Sequence, residues 1–288
     1  MISVEGLSYF YPRTDHPAVN DISFAIAPGE IFGLLGPSGA GKSTTQRVLT
    51  GQNRRYRGAI KVLSVPLHDW DHTYYERIGV GFELPNHYLK LTGRENLEFF
   101  ASLYKRPTRS PDELLALVGL ADAADVRVDQ YSKGMKMRLN FIRALLHDPE
   151  VLFFDEPTSG LDPVNAGIIK SLINEQRERG KTILLTTHNM HDVDELCDRV
   201  GFIVGGRMTE VAEPAALKAR YGKRLVTVEF GCEGQARSME FPLDGLSGNK
   251  AFLTLLGKAD IKTIHSQEAS LDRVFADVTG VRLGVEEG

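Results

Sequence analysis

Ile31-Phe32-Gly33-Leu34-Leu35-Gly36-Pro37-Ser38-Gly39-Ala40-Gly41-Lys42-Ser43-Thr44 decides the fold. Its first five residues form a short apolar run ending in glycine, which suits a buried strand. From Gly36 to Ser43 the chain reads G-x-x-x-x-G-K-[ST], and the pattern follows that strand as it must to be meaningful. The glycines let backbone N–H groups close around phosphate oxygens. A helix opening at the loop turns its positive end towards the same anion. In such an arrangement Lys42 reaches the β- and γ-phosphates and the Ser43 hydroxyl binds Mg²⁺. The bland alternative is a glycine turn with a chance lysine, and the strand–loop–helix order argues against it.

A second signal lies downstream in Leu152-Phe153-Phe154-Asp155-Glu156. An apolar strand there delivers two carboxylates at its C-terminal end, where open α/β sheets bind their ligands. Asp155 suits a Mg²⁺ partner, directly or through water. Glu156 suits a base or an orienter for an attacking water. Taken alone, such a pair reads as readily as a solvated strand end. Coupled to a phosphate loop, it reads as half of a phosphoryl-transfer site.

Working outward, the N-terminal part alternates as strands do. Residues 22–26 run apolar–small before Pro28-Gly29 turns the chain, and a further β segment is expected over residues 58–65. From about residue 84 to 147 the period changes to that of helices. Thr92 and Glu95 have capping-box spacing, with Leu97, Phe100 and Tyr104 on one face. Ser110-Pro111 opens another helix with the stripe Leu114, Leu117 and Val118, and a third begins near Ser132 and runs through Leu139, Ile142 and Leu146. Strand–helix alternation then resumes. Asp162-Pro163 opens a helix with the stripe Val164, Ile168, Leu172 and Ile173, ending at Gly180. Residues 182–185 form a buried strand, and Gly205-Gly206 is a hairpin turn. From about Tyr221 the chain returns to β character, at residues 224–230.

Composition bounds the possibilities. The 288 residues are 42% hydrophobic and 25% charged, values of a globular chain with a sizeable core. With 34 basic and 38 acidic side chains the net charge is −4, which argues against a general nucleic-acid binder. Arg54, Arg55 and Arg57 read as a solvated turn before and around Gly58. Cys197 and Cys232 form no C-x-x-C pair, so zinc is not expected, and reduced thiols fit the cytosol. The N-terminus lacks the basic start and apolar run of a signal peptide. No stretch approaches the ~18 apolar residues of a membrane span. If the protein works at a membrane, another chain must supply the pore.

Further motifs make a family resemblance plain. Tyr131-Ser132-Lys133-Gly134-Met135 stands upstream of Asp155 where ABC ATPases carry their LSGGQ signature. Asp155-Glu156-Pro157-Thr158-Ser159-Gly160-Leu161-Asp162 looks like the Walker B and D-loop of that family, and Thr186-Thr187-His188 resembles its switch histidine. Tyr11 falls where the family stacks an aromatic on adenine. The similarity covers about residues 1–215. It implies that ATP is sandwiched between two nucleotide-binding domains. The nucleotide-binding residues would be Tyr11, Gly36, Pro37, Ser38, Gly39, Ala40, Gly41, Lys42, Ser43, Thr44, Ser132, Gly134 and Asp162, with the phosphate loop of one domain facing Ser132 and Gly134 of the other. Ser43 and Asp155 would hold Mg²⁺, with Glu156, His188 and Lys42 catalytic. Ser132 would cap a helix aimed at phosphate, and Gly134 would let the backbone approach it. His147 and His191 are read as structural.

Two departures stand out. The signature has Lys133 where the family commonly has glycine and Met135 where it has glutamine. At the usual Q-loop glutamine the chain has Glu83, which keeps an acceptor, loses a donor and adds a charge. Glu83 is expected to ligate Mg²⁺ still; the alternative is a solvent-facing residue in a loop shifted by one position.

The tail from Glu268 to Phe275 and the segment from Asn86 to Leu97 are similar to ATPases of ABC-2-type exporters, including drug and antibiotic exporters. The resemblance therefore implies an α/β fold. A P-loop NTPase core carries an antiparallel β subdomain and an inserted α-helical lobe, with a small C-terminal α+β domain. The nucleotide-binding domain is expected over residues 1–220, with the helical lobe at about 84–147, and the accessory domain over 221–288. Function is expected to be ATP hydrolysis, with Mg²⁺, powering export through a separate ABC-2-type transmembrane permease. The second nucleotide-binding subunit is expected to be a copy of the chain, a relative being the alternative. Nucleic acid is no partner, and the membrane is reached only through the permease, at the cytoplasmic face. The rival reading is a soluble ABC ATPase switching a cytosolic partner. Such ribosome-acting proteins usually carry two motif sets in one chain, whereas this chain has one.

Overall fold

The computed structural model describes residues 1–221, 225–232, 235–267 and 270–281. They fall into two units, Met1–Glu213 and Pro214–Gly288. The division comes earlier than the expected boundary after residue 220, because the helix Pro214–Tyr221 packs with the last helix of the second unit.

In the first unit, strands β1 (Ile2–Tyr9), β2 (Val19–Ile26), β4 (Arg57–Val62) and β5 (Val65–Pro66) make an antiparallel sheet in the order β2-β1-β4-β5. Ile22, Phe24 and Ile26 point inward at a spacing of two and the residues between are exposed, as expected of a sheet with one buried face. The β segment expected over 58–65 is a tight hairpin instead. Leu63 and Ser64 both adopt positive φ, 52° and 67°, which closes β4 onto β5 in two residues.

The second sheet contains β3 (Ile31–Leu35), β6 (Ile78–Gly81), β7 (Val151–Asp155), β8 (Thr182–Thr187), β9 (Arg199–Val204) and β10 (Arg207–Ala212). Its order is β10-β9-β3-β8-β7-β6, parallel except for β10. Every residue of β3, β7 and β8 is buried, which explains why these strands read as continuous apolar runs. Gly205 and Gly206, both at positive φ, make the expected β9–β10 hairpin. One core joins the two sheets with α1 (Lys42–Leu49), through Phe24, Phe32, Leu34, Val48 and Phe153 among others.

The inserted helices are α2 (Gly93–Ala101), α3 (Pro111–Leu117) and α4 (Lys133–Arg143). Thr92 and Glu95 form the full reciprocal capping box that starts α2. Tyr104 and Leu146 lie just beyond the ends of the helices expected to hold them. The buried stripe of α3 is Leu114 and Leu115 followed by Val118, and Leu117 is only half-buried.

After β7 come α5 (Pro163–Glu178) and, following β8, α6 (Met190–Leu196). Val164 does not belong to the apolar stripe of α5: it is 74% exposed, whereas Ile169, Leu172, Ile173 and Gln176 are buried. The helix touches the core only after its first turn, and the i, i+3, i+4, i+7 set from Ile169 defines the buried face.

The second unit has β11 (Leu225–Cys232), β12 (Gln235–Pro242) and β13 (Asp260–Gln267) in the antiparallel order β12-β11-β13, with α7 (Pro214–Tyr221), α8 (Lys250–Lys258) and α9 (Leu271–Thr279). Val226, Val228, Phe241 and Phe252 form its core under α8. Arg224 of the expected strand, Glu268 and Ala269 of the exporter-like tail, and the Cys232 side chain lie outside the described residues. Cys197 is a buried free thiol, and burial pushes its pKa up. Among the described residues, no helix is long and apolar enough to cross a membrane.

Candidate functional site

The strand order β3-β8-β7-β6 sets four C-terminal strand ends side by side. In that order they deliver the phosphate loop, Thr186-Thr187-His188, Asp155-Glu156, and Glu83. This is the position at which an open parallel sheet presents its ligand site.

The loop between β3 and α1 has no room for side chains at two glycines. A Cβ on Gly36 would stand 2.1 Å from the Ile203 carbonyl oxygen. Gly41 sits at φ 108°, and a Cβ there would be 2.6 Å from the Ala18 carbonyl oxygen. Gly39 is different: its φ of 76° asks for glycine, yet a Cβ would meet nothing within 4 Å. The Lys42 ammonium lies under the loop and donates to the carbonyl oxygens of Gly36 at 2.6 Å and Pro37 at 3.0 Å. Burial pushes its pKa down, while the charges of Glu156, Asp155 and Glu83 pull it up. A buried cation facing three carboxylates is a site whose balance changes most when phosphate charge enters.

Besides Ser43 and His188, the carboxylates are held by the hydroxyls of Thr186 and Thr187, to which the motif reading gave no role. Asp155 accepts from the Ser43 hydroxyl at 3.3 Å and, at short range, from Thr186. Ser43 and Asp155 therefore present two hard oxygens at one point, a donor set that fits Mg²⁺. Glu156 is bound at both oxygens: Thr187 donates to Oε2 at 3.0 Å, and Nδ1 of His188 lies 2.7 Å from Oε1. Thr186 and Thr187 are consecutive on β8, and Asp155 and Glu156 are consecutive at the end of β7. The register pairs Asp155 with Thr186. Hydroxyls at the end of an all-buried strand must find partners, and the adjacent carboxylates are the nearest acceptors. That pairing rule is the signal by which the sequence could have revealed them.

Glu156 also sits at φ 50°, unusual for a residue with a Cβ. Its N–H donates to Thr186 O at 2.9 Å and its carbonyl accepts from Ser159 at 3.1 Å, which fix the strained turn. Backbone strain of this kind costs about 1–3 kcal/mol and collects at functional sites. Glu156 is 6% exposed and Asp155 8%, whereas the His188 side chain is 59% exposed. The histidine thus spans from the buried Glu156 carboxylate to the open face.

Glu83 is exposed and shares with Ser43 and Asp155 a cleft of about 710 Å³ that runs along α1 to the helical lobe. Tyr11 lies at the other flank of the loop, its hydroxyl 3.0 Å from Oγ1 of Thr44, with its ring edge-on to Tyr9. Ser132 caps α4, accepting from Met135 N at 3.2 Å. A Cβ on Gly134 would meet Leu161 at 3.5 Å and the Ser132 hydroxyl at 4.0 Å, both ordinary contacts, so nothing among the described residues demands glycine there. Asp162 caps α5 through Val164 and Asn165. Ser132, Gly134 and Asp162 make no hydrogen bond to the phosphate-loop residues. His147 and His191 have structural surroundings: His147 is buried and stacked on Tyr104, and His191 is a surface residue of α6.

The ABC transporter family profile matches residues 19–159, and a profile described as the fluoroquinolone efflux ABC transporter C-terminal domain matches residues 224–268. The chain is 55% identical over 284 residues to a fluoroquinolones export ATP-binding protein of Mycobacterium tuberculosis, covering 98% of this chain and 94% of that protein. It is 42% identical to the Nod factor export ATP-binding protein I of Rhizobium meliloti, covering 98% and 89%. A solved ATP-binding subunit of an ABC transporter superposes with a TM-score of 0.69 at 29% identity, over 77% of this chain and 93% of that one. The fold is shared as well with a dimeric ATP-binding cassette bound to ADP and Pi, at a TM-score of 0.68 and 23% identity, over 74% and 98%. With 55% identity over nearly its whole length to an export ATP-binding protein, the chain belongs to the ABC transporter family as an ATP-binding subunit.

Proposed function

We propose that this protein hydrolyses ATP with Mg²⁺ to drive export through a separate ABC-2-type permease, working as a pair of identical chains at the cytoplasmic face of the membrane. The observation that carries the reading is the convergence of Lys42, Ser43, Asp155, Glu156 and His188 on neighbouring strand ends. Export is supported by the two relatives, which are named for export of fluoroquinolones and of Nod factor. The first unit is the nucleotide-binding domain and the second an accessory domain.

In this mechanism the phosphate loop and Lys42 bind the triphosphate, and Tyr11 offers a stacking face to the base. Ser43 and Asp155 would hold Mg²⁺, with Glu83 as a further ligand, and the bound ion would supply charge neutralisation to the reacting phosphates. Glu156 orients and deprotonates the attacking water, while His188 fixes its carboxylate and faces the γ-phosphate. Ser132 and Gly134 of the partner cassette close the site, with its Asp162 beside them. Closure and reopening change the setting of the Glu83 loop and the lobe. Leu84, Tyr88, Leu89, Phe99 and Leu103 leave apolar surface exposed around that loop, a surface suited to a permease segment.

The test is a pull-down of the tagged chain from detergent-solubilised membranes, paired with phosphate release from the purified protein. Co-purification of an integral membrane protein in near-equal amount is expected. Recovery of soluble partners alone would replace transport by a cytosolic switch, and absence of ATP turnover would remove the ATPase assignment.

A further inference from the structure

Asp192 is a buried carboxylate on a helix whose neighbouring acids, Asp194 and Glu195, are exposed. It is 5% accessible. Its Oδ2 accepts from the Thr158 hydroxyl at 2.5 Å, and Oδ1 lies 3.7 Å from the ammonium of Lys170, which also donates to Glu195. Taking a charge out of water is costly even when it is paired, and an apolar side chain would fill the same space more cheaply. Its location suggests a positional role.

Thr158 stands in the turn between Glu156 and Asp162. That turn closes through Ser159 N to Glu156 O at 3.1 Å and Leu161 N to Thr158 O at 3.2 Å. Its far side touches the signature helix. Gly160 lies under the Lys133 side chain, where a Cβ would come within 3.1 Å of Cε and Nζ, and Leu161 packs at Gly134. At the other end, α6 is tied back to the base. Asn189 caps it, the Asn189 N–H donates to Thr187 Oγ1 at 3.0 Å, and Thr187 donates to Glu156. The contacts therefore form a closed ring: Glu156, Thr187, Asn189, the first turn of α6, Asp192, Thr158 and back to Glu156. Lys133 and Leu161 connect that ring to Ser132 and Gly134.

We propose that Asp192 is a positioning residue that, through Thr158, locks the turn between Glu156 and Asp162 to the helix following His188. It thereby links the chain's own γ-phosphate side to the signature it presents to a partner. The proposal rests on the two-cassette ATPase reading. A shift of His188 and α6 moves Asp192, and with it the Thr158 turn on which Lys133 and Leu161 rest. Cooperative use of two ATP molecules then depends on one hydroxyl–carboxylate contact.

The test uses the purified full-length chain and the near-isosteric Thr158→Val, with Thr158→Ser as the rescue. Thr158→Val is expected to lower kcat about tenfold, the scale of one hydrogen bond to a charged group, with KM for ATP within about twofold and a flatter dependence of rate on ATP. Thr158→Ser is expected to restore both rate and steepness. Asp192→Asn is expected to act in the same direction, and the double variant with Thr158→Val to lose less than the product of the two single effects. Wild-type rate and steepness in Thr158→Val would overturn the proposal. So would a loss that Thr158→Ser does not recover, one that merely follows a lowered Tm, or independent effects of the two substitutions. A wild-type chain that releases no phosphate would overturn the ATPase reading itself, and the proposal with it.

Discussion

Thr187 donates its hydroxyl to Oε2 of Glu156 at 3.0 Å, so the proposed base is held by the residue preceding the switch histidine as well as by the histidine. The carboxylate is therefore held at both oxygens. Orientation of this kind is what a general base requires before its pKa matters.

Thr187→Val removes the hydroxyl and keeps the shape. Turnover is expected to fall by about tenfold while KM for ATP changes little, since the lost contact acts on the base and not on the nucleotide. Thr187→Ser should retain most of the rate. A steady-state titration of both variants decides it, and a raised KM at unchanged kcat would assign Thr187 to nucleotide binding instead.

Glu156→Gln keeps the contacts of Thr187 with one oxygen and abolishes the basic carboxylate. Phosphate release is expected to drop by about 10²–10⁴-fold. ATP binding persists, because Lys42 and the phosphate loop are untouched, and a stable Mg-ATP dimer should appear by size-exclusion chromatography. Turnover at the wild-type rate would remove Glu156 from the chemistry.

Lys42→Ala deletes a buried ammonium whose pKa is already pushed down by burial and pulled up by three carboxylates. Nucleotide affinity is expected to weaken by at least about tenfold, the scale of one charge-assisted hydrogen bond to phosphate. Equilibrium binding of a fluorescent ATP analogue measures this. Unchanged affinity would contradict the loop assignment.

Much of this site was legible because its residues sit in contiguous runs. Ile31 to Ser43 carries strand, loop and helix start in order, and Val151 to Asp162 carries strand, turn and helix cap, so a local reading recovers them. Thr186, Thr187 and Asp192 were not legible as functional. Their significance lies in contacts across 31 to 34 residues of chain, set by the parallel register of β7 with β8 and the packing of α6. Val164 misled for a related reason: helical periodicity gives a face, but the extent of the core decides how far along the helix that face is covered. Leu63-Ser64 lacks the glycine and asparagine that usually announce a two-residue hairpin, so the β4–β5 turn was hidden as well.

Glu83→Gln tests the departure from the family's loop glutamine. The amide keeps a carbonyl acceptor for Mg²⁺ and removes a negative charge that stands in the same cleft as Asp155. Turnover is expected to be preserved or raised. Near-total loss of phosphate release would mean that the carboxylate is needed for something other than metal ligation.

Two buried histidines govern acid stability independently of the ATPase assignment. Nε2 of His87 lies 2.9 Å from the Lys136 carbonyl oxygen, and that of His147 lies 2.8 Å from the Ile78 carbonyl oxygen. A carbonyl only accepts, so both rings carry the proton on Nε2 and leave a buried, unpartnered Nδ1. Protonating Nδ1 would place a charge out of water. Burial accordingly pushes the His87 pKa from 6.5 down to about 4, helped by the charges of Arg143 and Lys136, and burial also lowers that of His147. Between about 6.5 and 4 the unfolded chain binds a proton at His87 that the folded chain refuses, so stability is full above the upper value and falls as pH drops through the window. For His87 the total is on the order of 3 kcal/mol. Urea melts taken at steps from pH 8 to pH 4 should show stability declining below about pH 6.5, with a shallower decline in His87→Gln, whose side chain does not titrate. Equal slopes in the two proteins would mean that His87 takes up its proton without unfolding, and that its Nδ1 finds water or another acceptor in the folded state.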